Sequence, residues 1–308
     1  MLTQFALRFE TPAALAAALQ RHIRTYPAAL GRHNGRWVLR LPGRPPYPWR
    51  APRLRIRLRR TPPGSNLGEV AETAVLDYVL DRSGPTVFYD IGASSGYFAH
   101  IAAMRPDAII GVHAFDLSPT DLGAIERTAA ALHLKGITIH QTGMGRSDLG
   151  MRDIWVSRTR MFDHQPTDAE MREPWPIRAK LALTGNAAKL APIRHRVHLD
   201  SIDAFAARNP PAPGLIKMDI DGYEAEALPG GMQTFRSAHP VLMVEIHRAR
   251  FYRRFGTGRP DFLRPLFALG YTALFLENRT RHKTVHVIPV GPDDPRLSRE
   301  QTDFLVFV

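Results

Sequence analysis

From Thr86 onward the chain alternates short apolar runs with stretches whose apolar residues recur every three or four positions. Thr86 to Ile91, Ala108 to Phe115, Ile137 to Gln141, Leu215 to Asp219, Val241 to Ile246, Tyr271 to Leu276 and Asp303 to Val308 are seven runs of strand length. Between them Gly96 to Met104, Ser118 to His133, Gly222 to Arg236 and Asp261 to Leu269 carry helical spacing. Ser118-Pro119 with Asp121 reads as a capping box, and Leu122, Ile125, Ala129 and Leu132 form the apolar face behind it. Pro229-Gly230-Gly231 interrupts the third helix. Strands alternating with helices predict an α/β protein with a seven-stranded, doubly wound, mostly parallel sheet. The last strands lie close together in sequence, which allows an antiparallel pair at one edge.

The chain before Thr86 has another texture. Thr11-Pro12 opens an Ala/Leu-rich helix that runs to about Ile23. Trp37 to Leu41 reads as a short strand, and Pro42, Pro45, Pro46, Pro48 and Pro52 make the next stretch an irregular connector. Arg53 to Arg60 alternates strictly, with Leu54, Ile56 and Leu58 on one side and arginines on the other, the pattern of a half-buried strand. Leu67 to Leu80 carries helical spacing at Val70, Ala74 and Val75. Inside the alternating region, Leu149 to Pro192 breaks the rhythm; such a long loop is expected to cover the ligand crevice. The expected division is a basic segment, 1–67, and an α/β domain, 68–308, with a cap at about 149–192.

Composition narrows the chemistry. A chain of 308 residues buries enough surface to fold without a staple. It contains no cysteine, which excludes disulfides, thiolate metal sites, cysteine nucleophiles and iron–sulfur clusters. No apolar run approaches membrane-spanning length, and the N-terminal residues lack a secretory pattern, so a cytoplasmic enzyme is expected. The net charge of +12 is local. Between Thr11 and Gly68 there are twelve arginines and no acid, whereas the remaining 29 basic residues match the 29 acidic ones. A basic segment suits an anionic partner such as phosphate, an acidic glycan or nucleic acid, and equally a solvated surface in an arginine-rich chain.

Three constellations carry chemistry. Asp90-Ile-Gly92-Ala93-Ser94-Ser-Gly96 joins a strand to a helix, where glycines let the backbone turn tightly and approach a ligand. Asp116, twenty residues after Gly96 and at a strand end, is placed to accept from a ribose diol. The same turn matches G-x-S-x-G, so Ser94 with Asp219 and His247 would give a serine hydrolase, although no oxyanion segment precedes it. The second constellation, Lys217 to Gly230, drives an apolar strand into Asp219; Glu224 and Glu226 read as dipole partners of the helix that follows. The third places Glu245 within an apolar strand, where a carboxylate needs a partner, and His247 at its end.

These stretches resemble the FkbM family of S-adenosylmethionine-dependent methyltransferases. The resemblance rests on Val87 to Ala93 with Gly96-Tyr97-Phe98, on Ala114-Phe115-Asp116 with Pro119, and on Leu199 to Asp203. It also rests on Lys217 to Gly230 and on Pro240 to Ile246. It spans about Gly68 to Val308 and implies a Rossmann-like class I methyltransferase fold binding S-adenosyl-L-methionine. It implies cofactor contacts from Glu69, Asp90, Gly92, Ala93, Ser94, Gly96, Asp116, Leu117, Gly143, Met144 and Asp219. By resemblance the acceptor is a hydroxyl on a sugar, glycan or secondary metabolite. An aliphatic hydroxyl needs a base or a metal, for which His247, Asp219 and Glu245 are the candidates. A metal-free base is preferred to a divalent ion, since an imidazole is not typical of a Mg²⁺ site. Methylation of RNA through the arginine segment is the alternative, but that segment has only Trp37, Tyr47 and Trp49 for stacking.

Overall fold

The computed structural model describes residues 11–34, 36–48, 69–156, 161–162, 165–167 and 192–308. Helix α1 (Pro12–Thr25) begins with the Thr11 hydroxyl accepting the Ala14 N–H at 3.1 Å, and it buries Leu15, Ala16, Leu19 and Ile23 at helical spacing. Strands β1 (Ala29–His33), β2 (Arg36–Arg40) and β3 (Tyr47–Pro48) form a small antiparallel sheet. The alternating strand expected over 53–60 lies outside the described residues. The chain continues through α2 (Val70–Leu80), β4 (Thr86–Ile91), α3 (Tyr97–Ala103), β5 (Ile109–Asp116), α4 (Pro119–Ala131) and β6 (Ile137–Gly145). Next come β7 (Gly150–Val156), β8 (Met161–Phe162), β9 (Ile193–Ser201), α5 (Ile202–Arg208) and β10 (Leu215–Met218). It closes with α6 (Glu224–Ala227), α7 (Met232–Ala238), β11 (Val241–Ile246), α8 (Arg259–Ala268), β12 (Ala273–Glu277), β13 (His286–Val290) and β14 (Asp303–Phe307).

The seven expected strands occupy consecutive places, β12-β14-β11-β10-β4-β5-β6, in one doubly wound sheet. Only β14 among them runs against its neighbours, pairing antiparallel with β11 and β12 near one edge. The sheet is larger than the sequence pattern predicts. β13 extends it beyond β12, and β9, β7 and β8 extend it beyond β6 to eleven strands. Leu149 to Pro192 is therefore not irregular from its start: β7 and β8 lie inside it, and most of the rest lies outside the described residues. The pattern hid β9 because charged and imidazole side chains alternate with its apolar ones (IRHRVHLDS).

Strand alternation divides the core. Phe88, Leu215, Met243 and Val306 face a cluster under α1 to α4, while Tyr89, Ile216, Val244 and Leu305 face one under α5 to α8. The basic segment contributes Leu15, Leu19, Ile23, Leu39 and Tyr47 to the first cluster. Two polar ties fasten it. The Arg44 guanidinium, itself buried, donates to both carboxylate oxygens of Asp77, which also accepts from the Tyr26 hydroxyl. The Tyr47 hydroxyl lies 3.0 Å from His100 Nδ1, and His100 Nε2 lies 3.0 Å from the Ile125 carbonyl. Arg44 is thus committed to an internal carboxylate, and Arg24 to the Val285 carbonyl at 2.9 Å. Among the described residues no helix is long and apolar enough to cross a membrane.

Arg44→Met should leave the buried Asp77 carboxylate with the Tyr26 hydroxyl and, 3.7 Å away, Arg105 as its remaining partners, a loss of about 3 kcal/mol. Thermal unfolding should show a midpoint lower by on the order of 10 °C. Arg44→Met combined with Asp77→Asn should recover part of that loss; equal midpoints for wild type and Arg44→Met would contradict the tie.

Candidate active site

A cavity of about 1270 Å³ opens at the C-terminal ends of β4, β5, β6 and β10, where the sheet's parallel strands deliver their loops. Its floor is the turn after β4. Gly92 takes φ +78°, and a Cβ there would sit 1.9 Å from the Asp219 carbonyl, so only glycine lets the two strand ends approach this closely. Ser94 (φ +49°) and Gly96 (φ +83°) are also left-handed. The Gly92 and Ala93 amides donate to the Phe115 carbonyl at 3.0 and 2.9 Å, tying this turn to the next strand.

Asp116 ends β5 on the cavity wall. Its Oδ2 accepts the Ser94 N–H at 2.8 Å and its Oδ1 accepts the Ser118 N–H at 2.9 Å. Burial pushes this carboxyl up, and the two N–H donors oppose that push. Gly92, Ser94, Asp116, Leu117, Gly143, Met144 and Asp219 all line the cavity. Asp90 lies beneath the turn, and Ala93 and Gly96 are its buried members. Asp90 is fully buried; its Oδ2 accepts the Ala99 N–H of α3 at 2.9 Å, and its Oδ1 has no hydrogen-bond partner. Glu69 precedes α2, within electrostatic reach of Lys217, Asp219 and Asp90.

The three catalytic candidates converge, with ligand-type atoms of Asp219, Glu245 and His247 all within 4.8 Å of one another. Only Asp219 of the three lines the cavity. Glu245 Oε2 pairs with Arg279 at 2.9 Å, and Arg279 also donates to Glu72, so the carboxylate in an apolar strand has the partner it needs. His247 is enclosed by acids: Nδ1 lies 3.2 Å from Glu224 Oε1, and Nε2 lies 3.3 Å from Asp221 Oδ1 and 3.8 Å from Asp219 Oδ1. Burial pushes the imidazole down, but the Asp221 and Glu224 contacts outweigh it and raise the pKa to about 10. These contacts favour the imidazolium over the free base at neutral pH. Both His247 nitrogens are taken up by acids and neither is bonded to Ser94, so the hydrolase arrangement is not assembled.

The dipole reading fits Glu226 better than Glu224. Glu226 pairs with Arg146 at 3.0 Å near the surface. Glu224 is fully buried and accepts from the Tyr252 hydroxyl at 2.9 Å and the Ile220 amide at 3.1 Å. Lys217 received no role from the sequence, yet it is buried at the centre of the site. Its Nζ lies 3.3 Å from the Gly92 carbonyl and 3.7 Å from both Asp90 Oδ1 and Asp219 Oδ2. The signal was present: a lysine inside the apolar run Leu215–Met218 raises the same question as Glu245. Tyr252 and Arg279 had no comparable signal, because each is supplied by a loop or turn.

The ring resonances of His247 should keep imidazolium shifts from pH 6 to 9 by NMR, and Glu224→Gln should move its midpoint down. The folded value lies above the unfolded 6.5, so this pairing stabilises fully below pH 6.5 and is lost as pH rises through about 10. A midpoint near 6.5 in the folded protein would remove the imidazolium.

A family model described as "Methyltransferase FkbM domain" matches residues 90–279, which includes the last two residues of β4 and the turn after it, Asp116, the Lys217 to Gly230 segment and Glu245 to Arg279. No curated protein matches the chain. Among solved structures, a methyltransferase FkbM from Methylobacillus flagellatus KT is 15% identical over 78% of this chain, with a TM-score of 0.41; the match spans 54% of that protein. Precorrin-6y C5,15-methyltransferase from Geobacter metallireducens GS-15 is 11% identical over 76% of this chain and 87% of its own, with a TM-score of 0.37. The N-methyltransferase NodS from Bradyrhizobium japonicum WM9 is 13% identical over 78% of this chain and 94% of its own, also with a TM-score of 0.37.

Proposed function

The chain belongs to the methyltransferase FkbM domain family, and from that premise we propose that it moves the methyl group of S-adenosylmethionine to a hydroxyl of a sugar, glycan or secondary-metabolite acceptor. The observation that carries this reading is Asp116, a carboxylate fixed by two main-chain N–H groups on the wall beside the Gly92 turn. Its remaining lone pairs face a cavity large enough for a nucleoside and a second molecule together. The residues fit the cofactor. Gly92 brings backbone to the cavity floor, and Gly143 keeps the wall between Leu117 and Leu199 open, since a Cβ there would sit 2.7 Å from Leu199. Leu117 and Met144 supply apolar contact for a base.

When bound, the cofactor supplies a methyl sulfonium, an electrophile that needs little further activation. The protein's task is then alignment and proton removal. Asp219 is the candidate that touches the cavity, so it takes the acceptor hydroxyl's proton as that oxygen is alkylated. A hydroxyl forming a third bond is far more acidic than a free alcohol, so a carboxylate is basic enough. His247 and Glu245 act from behind it. The imidazolium faces Asp219 and Asp221, and Glu245 with Arg279 closes the rear of the cluster. A divalent ion is the less favoured reading, because each candidate ligand already has an oppositely charged partner. Asp219 has Lys217, Glu245 has Arg279, and His247 has Glu224 and Asp221.

Calorimetry with S-adenosylhomocysteine tests the cofactor. Asp116→Ala removes a charge-assisted contact of about 1.5–3 kcal/mol, so affinity should fall roughly 10- to 100-fold; unchanged affinity would overturn the assignment. Asp219→Asn should lower kcat on the acceptor by on the order of 100-fold while S-adenosylhomocysteine affinity stays within about 3-fold. Transfer should persist in EDTA; a loss that Mg²⁺ restores would replace the carboxylate base with a metal.

A further inference from the structure

Three neighbouring strands place ionisable side chains on one face of the sheet. Asp90 of β4 and Lys217 of β10 are direct register partners, and Glu245 follows Met243, the β11 partner of Lys217, by two residues on the same face. This is the face that α2 and α3 cover, beside Phe88 and Leu215. An ammonium at such a position is costly to bury, and Leu or Met would fill the space without that penalty. The location of its nitrogen shows what the charge does. Nζ reaches the Gly92 carbonyl at 3.3 Å and stands between Asp90 Oδ1 and Asp219 Oδ2, 3.7 Å from each. Asp90 Oδ1 is buried without a hydrogen bond, so Lys217 is the neighbour that compensates it.

The turn that Lys217 grips needs holding. Gly92, Ser94 and Gly96 are all left-handed, and Ser94 is there at a conformational penalty. Main-chain bonds fix the amide side: Gly92 and Ala93 to the Phe115 carbonyl, and Gly96 to the Ala93 carbonyl. The Gly92 carbonyl is fixed from the opposite side by the lysine. We propose that Lys217 is a positioning residue for the cofactor turn, its ammonium clamping the Gly92 carbonyl against Asp90 so that the turn is set before a ligand enters the cavity. This rests on the cofactor reading above. The role differs from charge balance with Asp90, which would make the lysine dispensable once Asp90 is neutral; Asp219, the other carboxylate 3.7 Å from Nζ, keeps His247 Nε2 at 3.8 Å as a second partner.

The test compares Asp90→Asn with the double variant Lys217→Met/Asp90→Asn, using S-adenosylhomocysteine as the calorimetric probe and thermal unfolding as the control. The clamp predicts that the double variant binds about 10-fold or more weakly than Asp90→Asn, with a melting midpoint at least as high. Hydrogen exchange should also rise in the peptide covering 92–96. Equal affinity and equal exchange in the two variants would overturn the clamp and leave a counter-ion. Lys217→Arg keeps the charge and displaces the donors, which covers the case in which the double variant does not fold. The clamp predicts weaker binding at a near-native midpoint, and wild-type affinity would overturn it. Wild-type protein that gives no heat with S-adenosylhomocysteine would overturn the cofactor reading itself, an outcome separate from the comparison between variants.

Discussion

A buried ionic layer crosses the C-terminal ends of the central strands, and the geometry around the cavity depends on it. It runs from Asp90 through Lys217 to Asp219, with Glu245, Arg279 and Glu72 beside it. Apolar side chains above and below would pack as well around a leucine as around a lysine, and they carry no information about where a carboxylate should point. The ionic layer does, because each buried charge is tolerable only when a specific partner is in place. Burial pushes Asp90, Glu72 and Glu245 up, and Lys217 and Arg279 oppose the push. Burial disfavours the Lys217 ammonium, but Asp219, Asp90, Glu69 and Glu245 outweigh it and raise its pKa. The cavity floor, the Asp219 carboxylate and the N-terminal end of α3 are thereby linked through one ammonium.

The basic segment bears on this layer from behind. Tyr47 contacts His100 on α3, and Arg44 accepts nothing but gives its guanidinium to Asp77 on α2 and its Nε–H to the Ile101 carbonyl. Those two helices cover Asp90 and carry Glu72, so the segment braces the cover of the ionic layer. Its described arginines divide by burial. Arg44 and Arg24 are used internally, whereas Arg21, Arg32 and Arg40 are exposed. A uniform electrostatic reading of the segment misses that division.

The seven central strands were legible because each is an apolar run bounded by turn residues, and position in an α/β sheet then follows from alternation with helices. The turn at Gly92 was legible because a left-handed backbone selects for glycine. Asp116 was legible from its distance along the chain. What stayed hidden has a common cause. β7 and β9 sit at the sheet margin, where polar side chains are allowed and the apolar signal fades. Glu224 looked like a helix-dipole partner because sequence cannot show that Tyr252 and His247 come back to meet it. The protonation of His247 was hidden for the same reason: three acids reach it from one loop and the helix that follows it.

That protonation changes what the site asks of its residues. A neutral histidine would have to abstract a proton from an alcohol, and its effectiveness would turn on its own basicity. An imidazolium fixed by Glu224 instead supplies a permanent donor aimed at the carboxylates on the cavity wall. Asp219 then stands between two cations, Lys217 and His247, each about 3.7–3.8 Å away. Two such contacts hold one carboxylate in one orientation more firmly than either alone, which is the precision that alignment of an acceptor oxygen demands. The chemistry of methyl transfer asks little of a base and much of geometry, and the charges around this cavity are arranged for geometry.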